Sequence, residues 1–212
     1  RSVRFNAADA LGKIGSDEAI PQLIEVLTGD HDRSVRFNAA SALGQIGSEK
    51  AIPQLIKLCA VQDRDVRISA AYALGQIGSD KAIPQLLKLT GDKDSSVRVY
   101  AADALGKIGS EKAIPQLLKL TGDQDSSVRV YAADALGKIG SEKAIPQLLK
   151  LTGDKDSSVR VYAADALGKI GSEKAIPQLL KLTGDQDSSV RSSAVEALDK
   201  ISRRLQIRIY KE

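Results

Sequence analysis

A Val-Arg dipeptide returns along this chain with its valine at positions 3, 35, 66, 97, 128, 159 and 190, a spacing of 31 residues relaxed once to 32. The blocks 97–127, 128–158 and 159–189 are the same sequence except at Gln124, Lys155 and Gln186. A fixed period of this length means that each unit is one supersecondary motif, unable to bury its apolar face alone and stacked on its neighbours in sequence. Near-identity means recent duplication or deliberate construction, and the sequence does not separate the two. Composition agrees: aromatics are 3% of 212 residues and Met and Trp are absent. A layer that touches only its neighbours can be filled with small aliphatic side chains. The units read as 1–34, 35–65, 66–96, 97–127, 128–158 and 159–189, with a terminal half repeat or cap over 190–212.

Within a unit the period is helical. Val97, Ala101, Ala104, Leu105 and Ile108 fall at i, i+4, i+7, i+8 and i+11, one apolar stripe of a helix. Asp94 stands before it as an N-cap, and Gly109 follows it where a left-handed residue ends a helix. This predicts a helix A over about 95–108. In the second half Ile114, Leu117 and Leu118 give i, i+3, i+4, Pro115 must lie near the helix start, and Gly122 ends the segment. Helix B either begins around Ile114 or passes through a tight turn from Ser110. Short links make neighbouring helices antiparallel, giving six pairs plus a last helix A, thirteen helices in all.

Several blocks depart from the pattern. The first has one extra residue, so Ile20, Leu23, Ile24 and Leu27 complete a full helical template. Later blocks have lost that position, which puts Leu120 out of phase and predicts shorter B helices in repeats two to six. Cys59-Ala-Val-Gln62 replaces the usual Thr-Gly-Asp turn. Asp199 and Ser202 replace both glycines of the last helix A, which is expected to run through Arg204 and Leu205. The alternation over 205–210 has no partner strand to pair with.

The combined pattern Asp-x-x-Val-Arg, Ala-Leu-Gly-x-Ile-Gly and Ala-Ile-Pro-x-Leu resembles the HEAT-like repeats named after phycobilisome lyases, over residues 1–201. The resemblance implies an all-α, right-handed α-solenoid of helix pairs, a superhelix with B helices on the concave side and A helices on the convex side. It also implies that Arg98 and its equivalents Arg36, Arg67, Arg129, Arg160 and Arg191 form a ladder with acidic residues such as Asp94 and Asp125, a means of joining repeats.

Catalysis needs a convergent nucleophile or base, an orienting partner and a pocket. One histidine, His31, and one cysteine, Cys59, show neither ligand spacing nor a triad-like neighbour; they read as a turn residue and a small apolar residue. Deoxyhypusine hydroxylase is an enzyme of the same repeat type whose metal site is made from His-Glu pairs, and this chain has no such pair. No catalytic residue, metal or cofactor is therefore expected. The Gly106–Gly109 type of motif ends helices instead of opening them, the wrong dipole end for a phosphate. One cysteine fits a reducing compartment and a cytoplasmic location, and no run of residues has membrane-spanning length. The first residue, Arg1, falls inside a repeat, as in a piece of a longer protein.

Two surface columns remain. On helix B, Lys112, Gln116 and Lys119 lie opposite the core, with equivalents Lys50/Gln54/Lys57, Lys81/Gln85/Lys88, Lys143/Gln147/Lys150 and Lys174/Gln178/Lys181; the first repeat reads Glu18/Gln22/Glu25. Ten lysines are expected on one face. They suggest a concave binding surface for a protein partner with an acidic segment, against the plainer reading of a solvated helix face. Of the formal charge of +4, most comes from residues 190–212, which hold 6 basic and 3 acidic residues. With no aromatic platform beside the lysines, nucleic acid is disfavoured. The second column, on helix A, is Phe5, Phe37, Ile68, Val99, Val130 and Val161, with Tyr100, Tyr131 and Tyr162 beside it: either a second contact surface or packing between helices. The leading function is a non-catalytic protein-binding scaffold or repeat arm. A bilin lyase-like subunit and a polyanion binder are the alternatives; oligomeric state is not encoded.

Overall fold

The computed structural model describes residues 2–209, with side chains through residue 206. Thirteen α-helices and no strand occur among the described residues. They group into two units, residues 1–108 and 109–212.

The first unit contains α1 (Ser2–Ile14), α2 (Ile20–Gly29), α3 (Arg33–Ile46), α4 (Ile52–Leu58), α5 (Arg64–Ile77), α6 (Ile83–Leu89) and α7 (Ser95–Ile108). The long A helices α1, α3, α5 and α7 pack each on the next, and each B helix packs on the A helix that follows it. The second unit contains α8 (Ile114–Leu120), α9 (Ser126–Ile139), α10 (Ile145–Leu151), α11 (Ser157–Ile170), α12 (Ile176–Leu182) and α13 (Ser188–Ile209), arranged the same way, with α9, α11 and α13 as its A helices.

The A helices approach closely because each presents a glycine to the next. A methyl group on Gly75 would lie 2.7 Å from the Cα of Ala104, and one on Gly137 would lie 2.8 Å from the Cα of Ala166. No side chain fits there, so the seam is made of backbone and alanine. Aspartates start the A helices: Asp32, Asp63, Asp94, Asp125, Asp156 and Asp187 each accept a hydrogen bond from a backbone N–H of the first turn, a cap worth about 1 kcal/mol. Left-handed glycines end them, as at Gly140 with φ +75°.

Both alternatives for helix B meet in one arrangement. A single 3-10 turn, such as Glu111–Ala113, leads into an α-helix that starts at Ile114 with Pro115 in its first turn. The expected length difference holds: α2 has 10 residues and α4, α6, α8, α10 and α12 have 7. The phase assigned to Leu120 does not. Leu120 is buried and Leu118 only half-buried. The buried face centres on Leu117, whose i±3 and i±4 neighbours are Ile114, Leu120, Ala113 and Thr121, all buried; phasing from Ile114 misplaced it. Thr121 then ends the helix by donating its hydroxyl to the carbonyl of Leu118 at 2.7 Å. The B-helix leucines Leu23, Leu55 and Leu86 in the first unit, and Leu117, Leu148 and Leu179 in the second, are fully buried, each contributing roughly 1.5–3 kcal/mol.

With its glycines replaced, α13 extends beyond the expected Leu205 to Ile209. Arg204 donates to the carbonyl of Ile170 at the end of α11, at 2.7 Å. Tyr210, the last residue of the alternating segment, lies outside the described residues.

Candidate functional site

The arginine of Val-Arg builds a clamp at the repeat turns, complete at Arg67, Arg129 and Arg160. Arg129 donates through Nε and Nη2 to both carboxylate oxygens of Asp154, at 2.8 and 2.9 Å, and through Nη1 to the carbonyls of Asp123 and Gln124. Arg160 does the same to Asp185 and to the carbonyls of Asp154 and Lys155. In the first unit Arg67 grips Asp92 and the carbonyls of Val61 and Gln62. Each guanidinium thus ties the turn before its helix to the turn after the next B helix. The acidic partners are Asp92, Asp154 and Asp185, two residues before the expected Asp94 and its kind; Asp94 and Asp125 cap their helices, and Asp94 pairs with Arg64. Arg98 is buried and donates to the carbonyls of Asp92 and Lys93; Arg191 is exposed and donates to those of Asp185 and Gln186.

Arg36 is the exception. Its aspartate position is occupied by Val61, so its Nη2 reaches only Asp65, at 3.5 Å. The same carboxylate faces Arg33 at 3.2 Å and Arg64 at 3.7 Å. Arg36 Nε and Asp65 Oδ1 are buried and make no aligned hydrogen bond.

The helix-B rows resolve into two kinds of residue. The lysine at each 3-10 turn pairs with an acid of the preceding turn: Lys50 with Asp17 at 2.8 Å and Lys81 with Glu49 at 2.6 Å in the first unit, Lys143 with Glu111 at 2.7 Å and Lys174 with Glu142 at 2.9 Å in the second. These bonds hold the Glu49 and Glu111 carboxyls below the usual carboxylate range. Lys112 is exposed at the same position. Gln147 and Gln178 donate to the Thr121 and Thr152 hydroxyls at 2.9 Å, while Gln85 and Gln116 are half-buried and Gln54 is exposed. Lys57 and Lys88 in the first unit, and Lys119, Lys150 and Lys181 in the second, are exposed and make no ion pair among the described residues. Glu18, Gln22 and Glu25 are exposed in α2 and its leading turn.

Exposure varies along the helix-A column. Ile68 and Val130 are buried, Phe37, Val99, Val161 and Tyr100 are half-buried, and Phe5, Tyr131 and Tyr162 stand about 40% exposed. In the first unit Phe37, Tyr72 and Tyr100 form a cluster with ring centroids 4.7, 6.1 and 6.3 Å apart, with Lys107 Nζ 5.0 Å from the Tyr72 centroid. Sequence reasoning passed over Tyr72, Arg33 and Arg64. The signal was their departure from the repeated blocks, which carry aspartate at the Tyr72 position and serine at the two arginine positions. In the second unit those aspartates form a lattice: Lys138 and Lys169 pair with Asp134, and Lys169 and Lys200 pair with Asp165, all at 2.8–2.9 Å.

His31 is exposed in its turn. Cys59 is buried, and burial pushes its thiol up to about 12, which suppresses the reactive thiolate. Among the described residues no three His, Cys, Asp or Glu side chains gather as a metal site, and no helix is long and apolar enough to cross a membrane.

A family model for HEAT repeats matches residues 1–74, 60–129 and 114–199. The chain belongs to the HEAT-repeat family. Its HEAT repeats are of the phycobilisome-lyase type, in the α-solenoid fold class. Among solved structures it is similar to the Escherichia coli protein YibA, at 26% identity and a TM-score of 0.71 over 96% of this chain and 77% of that one. It is also similar to the complex of CpcE and CpcF of phycocyanin lyase from Nostoc sp. PCC7120, at 28% identity and 0.60 over 97% and 87%. An engineered protein matches at 30% identity and 0.60 over 87% and 96%. No curated protein matches the chain.

Proposed function

We propose that this HEAT-repeat chain is a non-catalytic scaffold that binds an acidic protein segment through its helix-B face. The observation that supports this is the division of labour among the lysines. In four repeats Lys50, Lys81, Lys143 and Lys174 are spent on the preceding turn, whereas a second lysine, in the row made of Lys57 and Lys88 in the first unit and of Lys119, Lys150 and Lys181 in the second, faces solvent. Glu18, Gln22, Glu25, Lys50, Gln54, Lys81, Gln85, Lys112, Gln116, Lys143, Gln147, Lys174 and Gln178 frame that row. Within each unit, charge presented once per layer suits an extended acidic chain. The 31-residue units are the layers of this scaffold, and the buried lone thiol of Cys59 suits a reducing, cytoplasmic setting.

The test is titration with poly-glutamate peptides and single-stranded oligonucleotides at low and high salt. Salt-sensitive peptide binding lost in Lys119→Glu and Lys150→Glu supports the scaffold; no salt-sensitive binding removes it, and tighter oligonucleotide binding transfers the face to a polyanion. A second reading, a bilin lyase-like subunit, draws on the similarity to CpcE and CpcF. Covalent chromophore transfer to a phycobiliprotein on co-expression would establish it.

A further inference from the structure

Residues 33–72 break the repeated pattern at several positions, and the breaks lie close together. Serine is the first residue of the A helix in the regular blocks, at Ser126 and Ser157; Arg33 and Arg64 stand there instead. Aspartate closes the clamp elsewhere; Val61 stands there instead. Three arginines, Arg33, Arg36 and Arg64, therefore converge on the single carboxylate of Asp65. Arg64 has Asp94 as a second partner at 2.9 Å; Arg33, with its side chain 64% exposed, and Arg36 share what remains of Asp65.

One turn along the same face of α3 lies Phe37. It forms a shallow groove with Phe5, Arg33, Asn38, Ser41 and Tyr100. Asn38 is occupied in bridging α3 to the Phe5 carbonyl at 2.7 Å, which fixes the Phe5 wall. Ser69, buried where most A helices carry asparagine or tyrosine, leaves room for the Tyr100 ring to reach Phe37. The regular blocks would put an aspartate and a lysine over this face, as Asp134 and Lys138 do. Here Ser41 and Gln45 stand in their place, then Tyr72 and Gln76, and Gln76 donates to the Tyr72 hydroxyl at 2.8 Å. The result is an uncharged, ring-lined groove with surplus positive charge at one end.

We propose that this helix-A groove docks a short peptide of a partner protein, an aromatic side chain seated between Phe5, Phe37 and Tyr100 and an adjacent carboxylate on the exposed guanidinium of Arg33. It is a second contact, independent of the helix-B row. An aromatic ring adds edge-to-face contacts to the area it buries, and a carboxylate gives Arg33 an acceptor of its own, since it shares Asp65 with Arg36 and Arg64. A nucleic acid fits worse. The rings pack tilted and edgewise on one another instead of standing as separate stacking platforms.

The test titrates the full chain with a blocked pentapeptide of glutamates around a central phenylalanine, with its alanine-centred counterpart, and with a single-stranded oligonucleotide. Arg33→Ser and Phe37→Val install the residues found at Ser126 and Val130, so both variants fold, which circular dichroism verifies. Each is expected to weaken binding about tenfold or more, as removal of an interface anchor does, and the alanine-centred peptide to weaken similarly. Equal affinity for the two peptides, unaltered binding by both variants, or preference for the oligonucleotide would each overturn the groove. Failure of the helix-B reading alone would show as loss of poly-glutamate binding only.

Discussion

The joint at Arg129 and the joint at Arg36 occupy equivalent places in their repeats and are built differently. Arg129 has a bidentate aspartate and two carbonyls. Arg36 keeps one carbonyl, that of Asp30, and shares a distant carboxylate with two other arginines. The glycine-alanine seam is common to both units, so the fold survives a defective clamp. The clamp sets how firmly successive turns are held, and without it Arg36 is left with a buried Nε and one distant, shared carboxylate.

Removing the acid from the complete joint should have the largest effect. Asp154→Ala leaves a buried guanidinium without its partner and is expected to cost about 3 kcal/mol, read as a lowered urea midpoint; the matching change at the defective joint, Val61→Ala, should cost well under half of that. Gly137→Ala places a methyl group against the Ala166 backbone and is expected to cost about 2 kcal/mol by overpacking. Val61→Asp restores the missing acceptor and should gain about 1 kcal/mol, making the two joints alike.

The smallest effect separates the units by pH. Burial alone would raise the Asp134 and Asp165 carboxyls, but hydrogen bonds from Lys138 and Lys169 to the first, and from Lys169 and Lys200 to the second, outweigh it and hold both below the ordinary range. Folded carboxyls that bind protons less readily than unfolded ones stabilise the fold fully above the unfolded value of about 3.9, and that gain disappears as pH falls through the lower folded value. Replacing the pair by the residues of repeats two and three, Asp134→Ser with Asp165→Tyr, should flatten the loss of stability between about pH 4 and pH 2 by up to about 1 kcal/mol, seen in urea midpoints measured against pH.

Helices, caps and layer order were legible because each follows from local chemistry: Asp125 before a helical stripe, Gly140 after it, Pro146 in the first turn of α10. The burial of Leu120 was not, because it depends on which leucine centres the face, and that is fixed by the neighbouring A helix. The lysine rows were visible as a pattern, yet their pairing was not. Whether Lys143 faces a ligand or Glu111 depends on the offset between successive turns, a three-dimensional quantity. Likewise Asp94 and Asp92 are equally good partners for an arginine on paper; the fold gives the first to Arg64 and the second to Arg67. The groove at Phe37 needed Tyr100 and Phe5 to meet across helices that the sequence separates by a whole repeat or more.

Residue-resolved hydrogen exchange of the native chain tests most directly whether the arginine clamp governs how tightly the layers are held. The segment 58–66 should open more readily than its equivalents 151–159 and 182–190, and Val61→Asp should slow its exchange toward theirs. Equal protection at all three segments, unchanged by Val61→Asp, would contradict it.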